Sequence, residues 1–508
     1  MKNRNTIFTT VLLVLACFAL SPRVQAVGPD TDGAIAGSNN GEGIGVLVSR
    51  TGGIWNTGTG FQALNHLTGG NQNTATGLRA LTSDTNGGYN SATGVLSLFS
   101  NINGFFNSAT GAYSLANNIS GNANTANGYA ALYYNTADRN TATGYAALYH
   151  NTTGVDNTAT GHNALINNTD GDGNTANGSG ALFNNTTGSL NTAVGAATLP
   201  NNTIGNDNTA VGLNALFSNT EGGNNTALGR AAMGGNTTGV NNTAIGWFAL
   251  ANNTTAFGNT AIGYRALLNY NGNLGSNTAV GSGALLSATA GQFNTAIGSG
   301  ALSGLTTGLT NIGIGISAGD QLTTGGGNVF IGVVGSVPGE NGHTYIRNID
   351  STTVTDDPVY VNLATGLLGH LSSSRRYKED IKPMNNASEA LYQLKPVTYR
   401  YKKEIDPRQS LDYGLVAEDV ANVEPSLAVR DGKGQIESVR YTAINAMLLN
   451  EFLKEHRKVQ ELEATVAQQQ KGMEVLTAQL KEQAAQIQKV SAQVEMSKAA
   501  PQVVLSNP

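Results

Sequence analysis

The sequence predicts a mainly β protein: a repetitive β-solenoid, or β-roll, wound in 17-residue coils, then a small α+β domain and a C-terminal coiled-coil helix. Three observations carry this reading. An Asn-centred motif returns at a nearly constant interval over more than half the chain. The repeat and its almost uncharged composition end together, and a densely charged segment follows. The last segment keeps an apolar heptad for longer than a small core can use.

Asn56 opens the motif, which recurs at Asn73, Asn90, Asn107, Asn124, Asn140, Asn157, Asn174, Asn191, Asn208, Asn225, Asn242, Asn259, Asn277, Asn294, Asn311 and Asn328. Of the 16 intervals, 14 are 17 residues, one is 16 and one is 18. Such a period means stacked equivalent units, not one globular core. Each unit reads Asn-Thr-Ala-x-Gly-x-x-Ala-Leu, then a polar stretch that usually holds another Asn and a Gly. The fifth position is Gly in every copy, as in Gly60, Gly77 and Gly332, which fits a positive φ or a close approach of two backbones. The third is nearly always Ala and faces a crowded interior. The ninth, Leu from Leu64 to Leu302 except for Met233, is the expected apolar ladder. The fourth drifts from Thr59 and Thr76 to Ile245 and Ile331, which predicts better packing towards the C-terminal end.

Seventeen residues with two turn signals fit one coil with two short strands, and are too few for a helix pair rich in Gly and Asn. Seventeen coils stacked ~4.8 Å apart make a rod of roughly 80 Å. A thin coil lined by Ala and Leu buries little apolar surface, which favours three chains sharing an axis. The repeat, over about residues 40–335, resembles the heads of trimeric autotransporter adhesins, whose Asn-Ser/Thr-x-Ala-x-Gly motifs wind a left-handed parallel β-roll. Those heads repeat at a shorter interval than this chain does.

The N-terminus reads as a bacterial secretory signal over residues 1–26. Lys2 and Arg4 precede the apolar run Ile7–Leu20, and Val24-Gln25-Ala26 forms a small-residue cleavage site between Ala26 and Val27. The apolar run is short for a transmembrane helix, and no other segment is long enough to span a bilayer. Cys17, the only cysteine, is either a lipid acceptor or a residue lost with the signal. Residues 27–55 lead into the β-roll of 56–335, and 336–371 form a β connector with strand-like alternation at Val359–Leu363.

Net charge is only −5, and no lysine lies between Lys2 and Lys378, which excludes a nucleic-acid surface. The six histidines are scattered, so neither a metal site nor a cofactor is expected. Asp170-Gly171-Asp172 reads as a turn between coils, not as a calcium loop. Tyr129, Tyr145 and Tyr264 share the sixth repeat position, and Tyr133 and Tyr149 the tenth. They form either a surface ladder able to stack sugars or an ordinary strand face.

The charged segment begins at Leu371-Ser372-Ser373-Ser374-Arg375-Arg376-Tyr377-Lys378. Alone, it would read as a polar linker with a solvated lysine. Downstream stand Ala390-Leu391, Leu394-Lys395-Pro396-Val397-Thr398-Tyr399, Tyr413-Gly414-Leu415-Val416-Ala417-Glu418-Asp419-Val420 and Val439-Arg440-Tyr441. With these blocks, residues 372–470 resemble the C-terminal intramolecular chaperone domain of phage endosialidases and tail fibres, also found in myelin regulatory factor. The resemblance implies a domain, here 372–441, that drives trimerisation and then cuts itself off. A serine nucleophile and a lysine base five residues later do so in that family, and Ser373 and Lys378 match the spacing. The cut would fall between Ser372 and Ser373. Ser374 stands where the family often has Asp, which leaves Ser372, Ser373 and Ser374 open as nucleophile.

Chemistry restricts the assignment further. A lysine serves as base only when neutral, which needs a fall of about three units from ~10.4 towards 7. Burial supplies part of such a shift, and nearby cations such as Arg375 and Arg376 supply more. Five residues match neither a helix face nor a strand face, so the chain must turn between the two groups or pair across subunits.

Residues 442–497 read as the coiled-coil helix, with a positions Phe452, Val459, Val466, Met473, Leu480, Ile487 and Val494. Leu462, Leu476 and Val490 share the d positions with Glu455, Gln469 and Gln483, and 498–508 is a polar tail. Together these features predict a secreted or surface-exposed bacterial homotrimeric fibre whose C-terminal domain promotes assembly and is released by Ser/Lys cleavage. Its outward partners would be surface glycans or host-cell receptors. The rivals are a surface adhesin on an uncleaved trimerising foot and a phage-derived tail fibre.

Overall fold

A computed structural model describes residues 37–335, 337–348, 359–363, 368–369 and 372–498. The signal segment with Ala26 and Val27, Cys17, and all of the tail except Lys498 lie outside the described residues. The chain divides into two compact units, residues 1–352 and 353–508.

The first unit is a parallel β-solenoid. Nineteen strands, β1 (Asn40–Glu42) to β19 (Thr344–Ile346), stack in one sheet, so the coils extend beyond Asn56 and Asn328 at both ends. Most strands are the Thr-Ala-x triplet of the repeat, and like positions pair: Ala176 faces Ala193, and Ala193 faces Ala210. The 16-residue and 18-residue coils keep this register, with Ala126 opposite Ala142 and Ala261 opposite Ala279. Their length difference is absorbed outside the strand, where a slip would turn the buried Ala outward.

Most coils close over their own core. The third-position Ala and ninth-position Leu are buried from coil to coil, as Ala176, Leu182, Ala193 and Leu199 show. Two columns of buried Asn line the same interior. In the first, the Asn174 amide N–H donates to Asn157 Oδ1 at 2.9 Å, and its Nδ2 donates to the Gly188 carbonyl at 2.8 Å. In the second, which runs from Asn101 to Asn253 eleven residues further along those coils, Asn185 Nδ2 donates to Asn168 Oδ1 at 2.7 Å and to the Gly188 carbonyl at 2.8 Å. Side-chain amides are costly to bury unless bonded, and these ladders bond them.

Two expectations are corrected. Each coil has one regular strand, not two, because the residues after it wind through left-handed conformations: Asn163 has φ 56° and Leu165 φ 51°. Positive φ costs a branched residue roughly 1–2 kcal/mol, and here it turns each Leu inward within a tight coil. The glycine requirement is met: Gly161 has φ 136°, and a Cβ there would lie 2.5 Å from the Gly178 carbonyl oxygen. The second correction concerns the fourth position. It alternates with the buried Ala and points away from the core, so Ile245 is 38% and Ile297 42% exposed. Its drift to Ile builds an external apolar column and does not tighten the coil.

The second unit is small. A short hairpin pairs β20 (Tyr360–Val361) with β21 (Leu368–Gly369). Two more follow: β22 (Val397–Tyr399) with β23 (Asp412–Gly414), and β24 (Ala428–Arg430) with β25 (Ile436–Val439). Between the last two lies helix α1 (Ala417–Val423), and the unit ends in helix α2 (Tyr441–Lys498) of 58 residues. Val420, Leu427, Val439, Ile444 and Met447 form its buried core, with Leu391, Leu394 and Leu415 packed against them. Beyond Glu451 the expected a and d residues are exposed, including Phe452, Val459, Leu462, Ile487 and Val490.

Candidate functional site

Ser372, Ser373 and Ser374 are exposed and lead into a 3₁₀ turn at Arg375–Tyr377, closed by the Lys378 amide N–H donating to the Arg375 carbonyl at 3.2 Å. This turn supplies the reversal that the five-residue spacing demanded. It brings Lys378 Nζ to 2.9 Å from Ser373 Oγ. Ser372 Oγ instead accepts the Ser374 amide N–H at 3.3 Å. Of the three serines left open by the sequence, Ser373 is therefore the one bonded to the lysine. Arg376 lies over the Tyr377 ring at 4.7 Å, a cation–π contact.

All of these groups are exposed in a single chain. A serine hydroxyl is activated only by a neutral amine that can take its proton.

The domain is anchored by a polar cluster that sequence reading missed. Glu451, at 8% exposure, accepts from Ser388 Oγ at 2.5 Å, Tyr392 OH at 2.8 Å and Lys454 Nζ at 2.8 Å. Asn450 Nδ2 adds a bond to Ser388 Oγ at 2.6 Å. Lys454, then Ser388 and Tyr392, hold the Glu451 carboxyl down to about 2. The cluster ties the 3₁₀ segment Asn385–Gln393 to α2. Its only sequence signal was a carboxylate three residues before a lysine on one helix, a pattern shared by many solvated pairs.

In the solenoid, the tyrosine columns stack. Tyr129 and Tyr145 have ring centroids 5.3 Å apart, Tyr133 and Tyr149 5.0 Å. Tyr264 stands apart from them, tilted against Trp247. Asp170 and Asp172 accept hydrogen bonds from Thr153 and the Val155 amide of the preceding coil, as turn residues do. Among the described residues, no cluster of His, Cys, Asp and Glu could hold a metal ion, and no helix is long and apolar enough to cross a membrane.

Residues 373–428 match the family described as chaperone of endosialidase, and the match begins at Ser373 itself. The chain thus carries a chaperone-of-endosialidase domain behind a β-solenoid fibre. No curated protein and no solved structure matches the chain.

Proposed function

We propose that the protein is a secreted or surface-exposed fibre that assembles as a homotrimer through its C-terminal domain and then releases that domain by self-cleavage. The observation that carries this reading is the 2.9 Å contact between Lys378 Nζ and Ser373 Oγ at the first matched residue of the family. Three features support trimerisation. Six buried apolar residues among those described are few for a unit that also exposes Leu448, Leu449, Phe452 and Leu453. An open hollow of about 480 Å³, lined by Leu391, Pro396, Tyr413 and Leu448 among others, is left on the same unit. Among the described residues the a and d positions of α2 beyond Glu451 stay exposed, and they suit parallel copies.

Assembly would also create the catalyst. Packing of copies removes water from Lys378, and a desolvated lysine favours its neutral form. Neutral Nζ takes the Ser373 hydroxyl proton while Oγ bonds to the Ser372 carbonyl carbon. The Ser372–Ser373 C–N bond then breaks, and the leaving amine takes the proton from Nζ. Water hydrolyses the resulting ester, giving the Ser372 carboxylate and restoring the Ser373 hydroxyl. Holding nucleophile and carbonyl in one chain replaces a bimolecular encounter, worth effective molarities of ~10⁵ M or more in well-oriented systems.

The test is expression of Ser373→Ala, Lys378→Ala and Ser372→Ala beside the parent chain. The first two should accumulate full-length trimer, and the third should still cut. The released fragment should begin with Ser373 by mass spectrometry. Cleavage in both dyad variants, or a fragment starting elsewhere, removes the assignment. For the fibre's outward partner, the stacked tyrosines favour surface glycans, because sugar faces pack on exposed aromatic rings.

A further inference from the structure

Positions eleven and thirteen of successive coils point outward on either side of the buried Asn column, and over six coils they form an open trough of about 1080 Å³. One side carries Asn167, Asn184 and Asn201 and the other a run of Thr including Thr186. At the end nearer the N-terminus stand Tyr134 and His150, stacked 5.6 Å apart at 10°. They join the larger aromatic patch, since Tyr134 meets Tyr149 edge-on at 5.4 Å and Tyr149 stacks on Tyr133.

We propose that this trough binds a neutral, linear, β-1,4-linked glycan along the solenoid axis. The inference rests on the glycan reading above and gives it a place and a chemical class.

Spacing is the first argument. Equivalent side chains recur once per coil, ~4.8 Å apart, and one β-1,4-linked hexopyranose unit advances about the same distance. Each sugar therefore meets the same Asn and Thr groups as its neighbour, over a length of about five units. The second argument is chemical. The amides are pre-ordered: Asn167 Nδ2 donates to Asn184 Oδ1, and Asn184 Nδ2 to Asn201 Oδ1, each at 3.2 Å. Each Asn keeps a second N–H for a ligand hydroxyl. The Thr hydroxyls donate to carbonyls of the next coil, as Thr186 does to Thr203 at 2.9 Å, and their lone pairs remain to accept. Ordered groups lose little entropy on binding. The third argument is charge. No lysine lies anywhere in the solenoid, Arg139 is bonded to Asp156 at 2.6 Å, and Asp170 sits 3.4 Å from Thr152 at the trough's edge. An anionic polysaccharide finds no countercharge here, whereas a neutral one needs none.

The test titrates cellohexaose, chitohexaose and, as an anionic comparison, hexagalacturonate into the full-length protein by calorimetry. At least one neutral hexaose should bind, and hexagalacturonate should not. The Tyr134→Ala/His150→Ala variant should weaken binding tenfold or more. So should Asn184→Ser/Asn201→Ser, which copies the serine already present at Ser218 and should leave the melting curve unchanged. Failure of both neutral hexaoses to bind, or preference for hexagalacturonate, overturns the proposal. If Tyr145→Ala abolishes binding while both trough variants bind normally, sugars sit on the tyrosine column, so the trough falls and the glycan reading stands. Silence across a broad glycan panel removes that reading as well.

Discussion

The two units solve burial in opposite ways. Solenoid coils close within one chain: Ala and Leu fill the interior, and two Asn columns satisfy one another and the backbone. Among the described residues, the C-terminal unit buries six apolar side chains and exposes a longer apolar heptad on α2. Coils that complete themselves need no partner to fold, but identical coils also give neighbouring chains no unique register. Under the proposed reading, the incomplete unit would supply that register. The family match falls on the incomplete unit, which is where an assembly role belongs.

Separating the units should give the largest effect. A chain ending at Ser372 should keep its β signature in circular dichroism but lose the trimer in analytical ultracentrifugation. The full chain carrying Ser373→Ala should remain trimeric. Well-formed trimers from the truncated chain would show that the solenoid aligns itself, through the external column of Val211, Ile245 and Ile297 for example. The contrast between the units would then fail.

Within the solenoid, one buried charge should break the self-sufficiency of its neighbours. Leu182 is fully buried, so Leu182→Asp places a carboxylate in an apolar coil, at a cost of about 4 kcal/mol or more. Because coils stabilise their neighbours, limited proteolysis should open sites near residues 165–200 and spare distant coils. An unchanged digest would mean that the Leu column is not what holds the stack together.

How much of this was legible depended on whether a role leaves a periodic trace. The Ala, Leu and Gly columns did, since one residue type recurs where one environment recurs. The second Asn column leaves the same trace, at Asn168, Asn185 and Asn202, within the polar stretch of each unit. Asparagine suggests solvent unless the bonds that bury it are seen. The left-handed Leu165 and Leu182 were not legible, because leucine has no local preference for that region and only the stack imposes it. The outward direction of position four follows from strand alternation with the buried Ala, but its apolar drift suggested a core. In the C-terminal unit, the Ser373–Lys378 pair came from the family resemblance and the turn between them from its five-residue spacing, whereas the Glu451 cluster was not legible. Its partners Ser388 and Glu451 lie 63 residues apart.

A pH series should sharpen the comparison, since burial raises the Asp84 carboxyl of one unit while Lys454 lowers the Glu451 carboxyl of the other. Asp84 occupies the Asn column at its first polar coil, with Leu67 in the equivalent place one coil earlier and Asn101 one coil later. Burial pushes its carboxyl up from 3.8 to about 7, partly offset by bonds from the Gly87 amide and Asn101. Below pH 4 the group is neutral folded and unfolded, so it costs nothing. Between 4 and 7 the unfolded chain ionises first, and stability falls as pH rises. Asp84→Asn should therefore stabilise the N-terminal coils at pH 8 by up to roughly 3–4 kcal/mol and flatten the dependence. Hydrogen exchange at residues 80–104 across pH 4–8 reads this directly. A parent chain with no pH trend there would mean that water reaches the carboxyl.

The smallest effect should run the other way. Glu451 is held well below its ordinary 4.5, to about 2, by Lys454, Ser388 and Tyr392. A depressed carboxyl contributes stability above its unfolded value and loses it as pH falls through the folded one, so the window is about pH 4.5 to 2. Hydrogen exchange over residues 385–393 and 444–454 should quicken through that window while the central coils stay protected. Glu451→Gln keeps the shape but cannot accept from a charged lysine as strongly, so exchange should be modestly faster at pH 7 and insensitive between pH 4.5 and 2. Lys454→Met should reproduce much of that, because the lysine is the largest single influence on Glu451. Equal acid sensitivity in the parent and both variants would move the response to other carboxyls. The 3₁₀ segment would then be held to α2 by its apolar contacts and the neutral Asn450 bonds to Ser388 and Asn385.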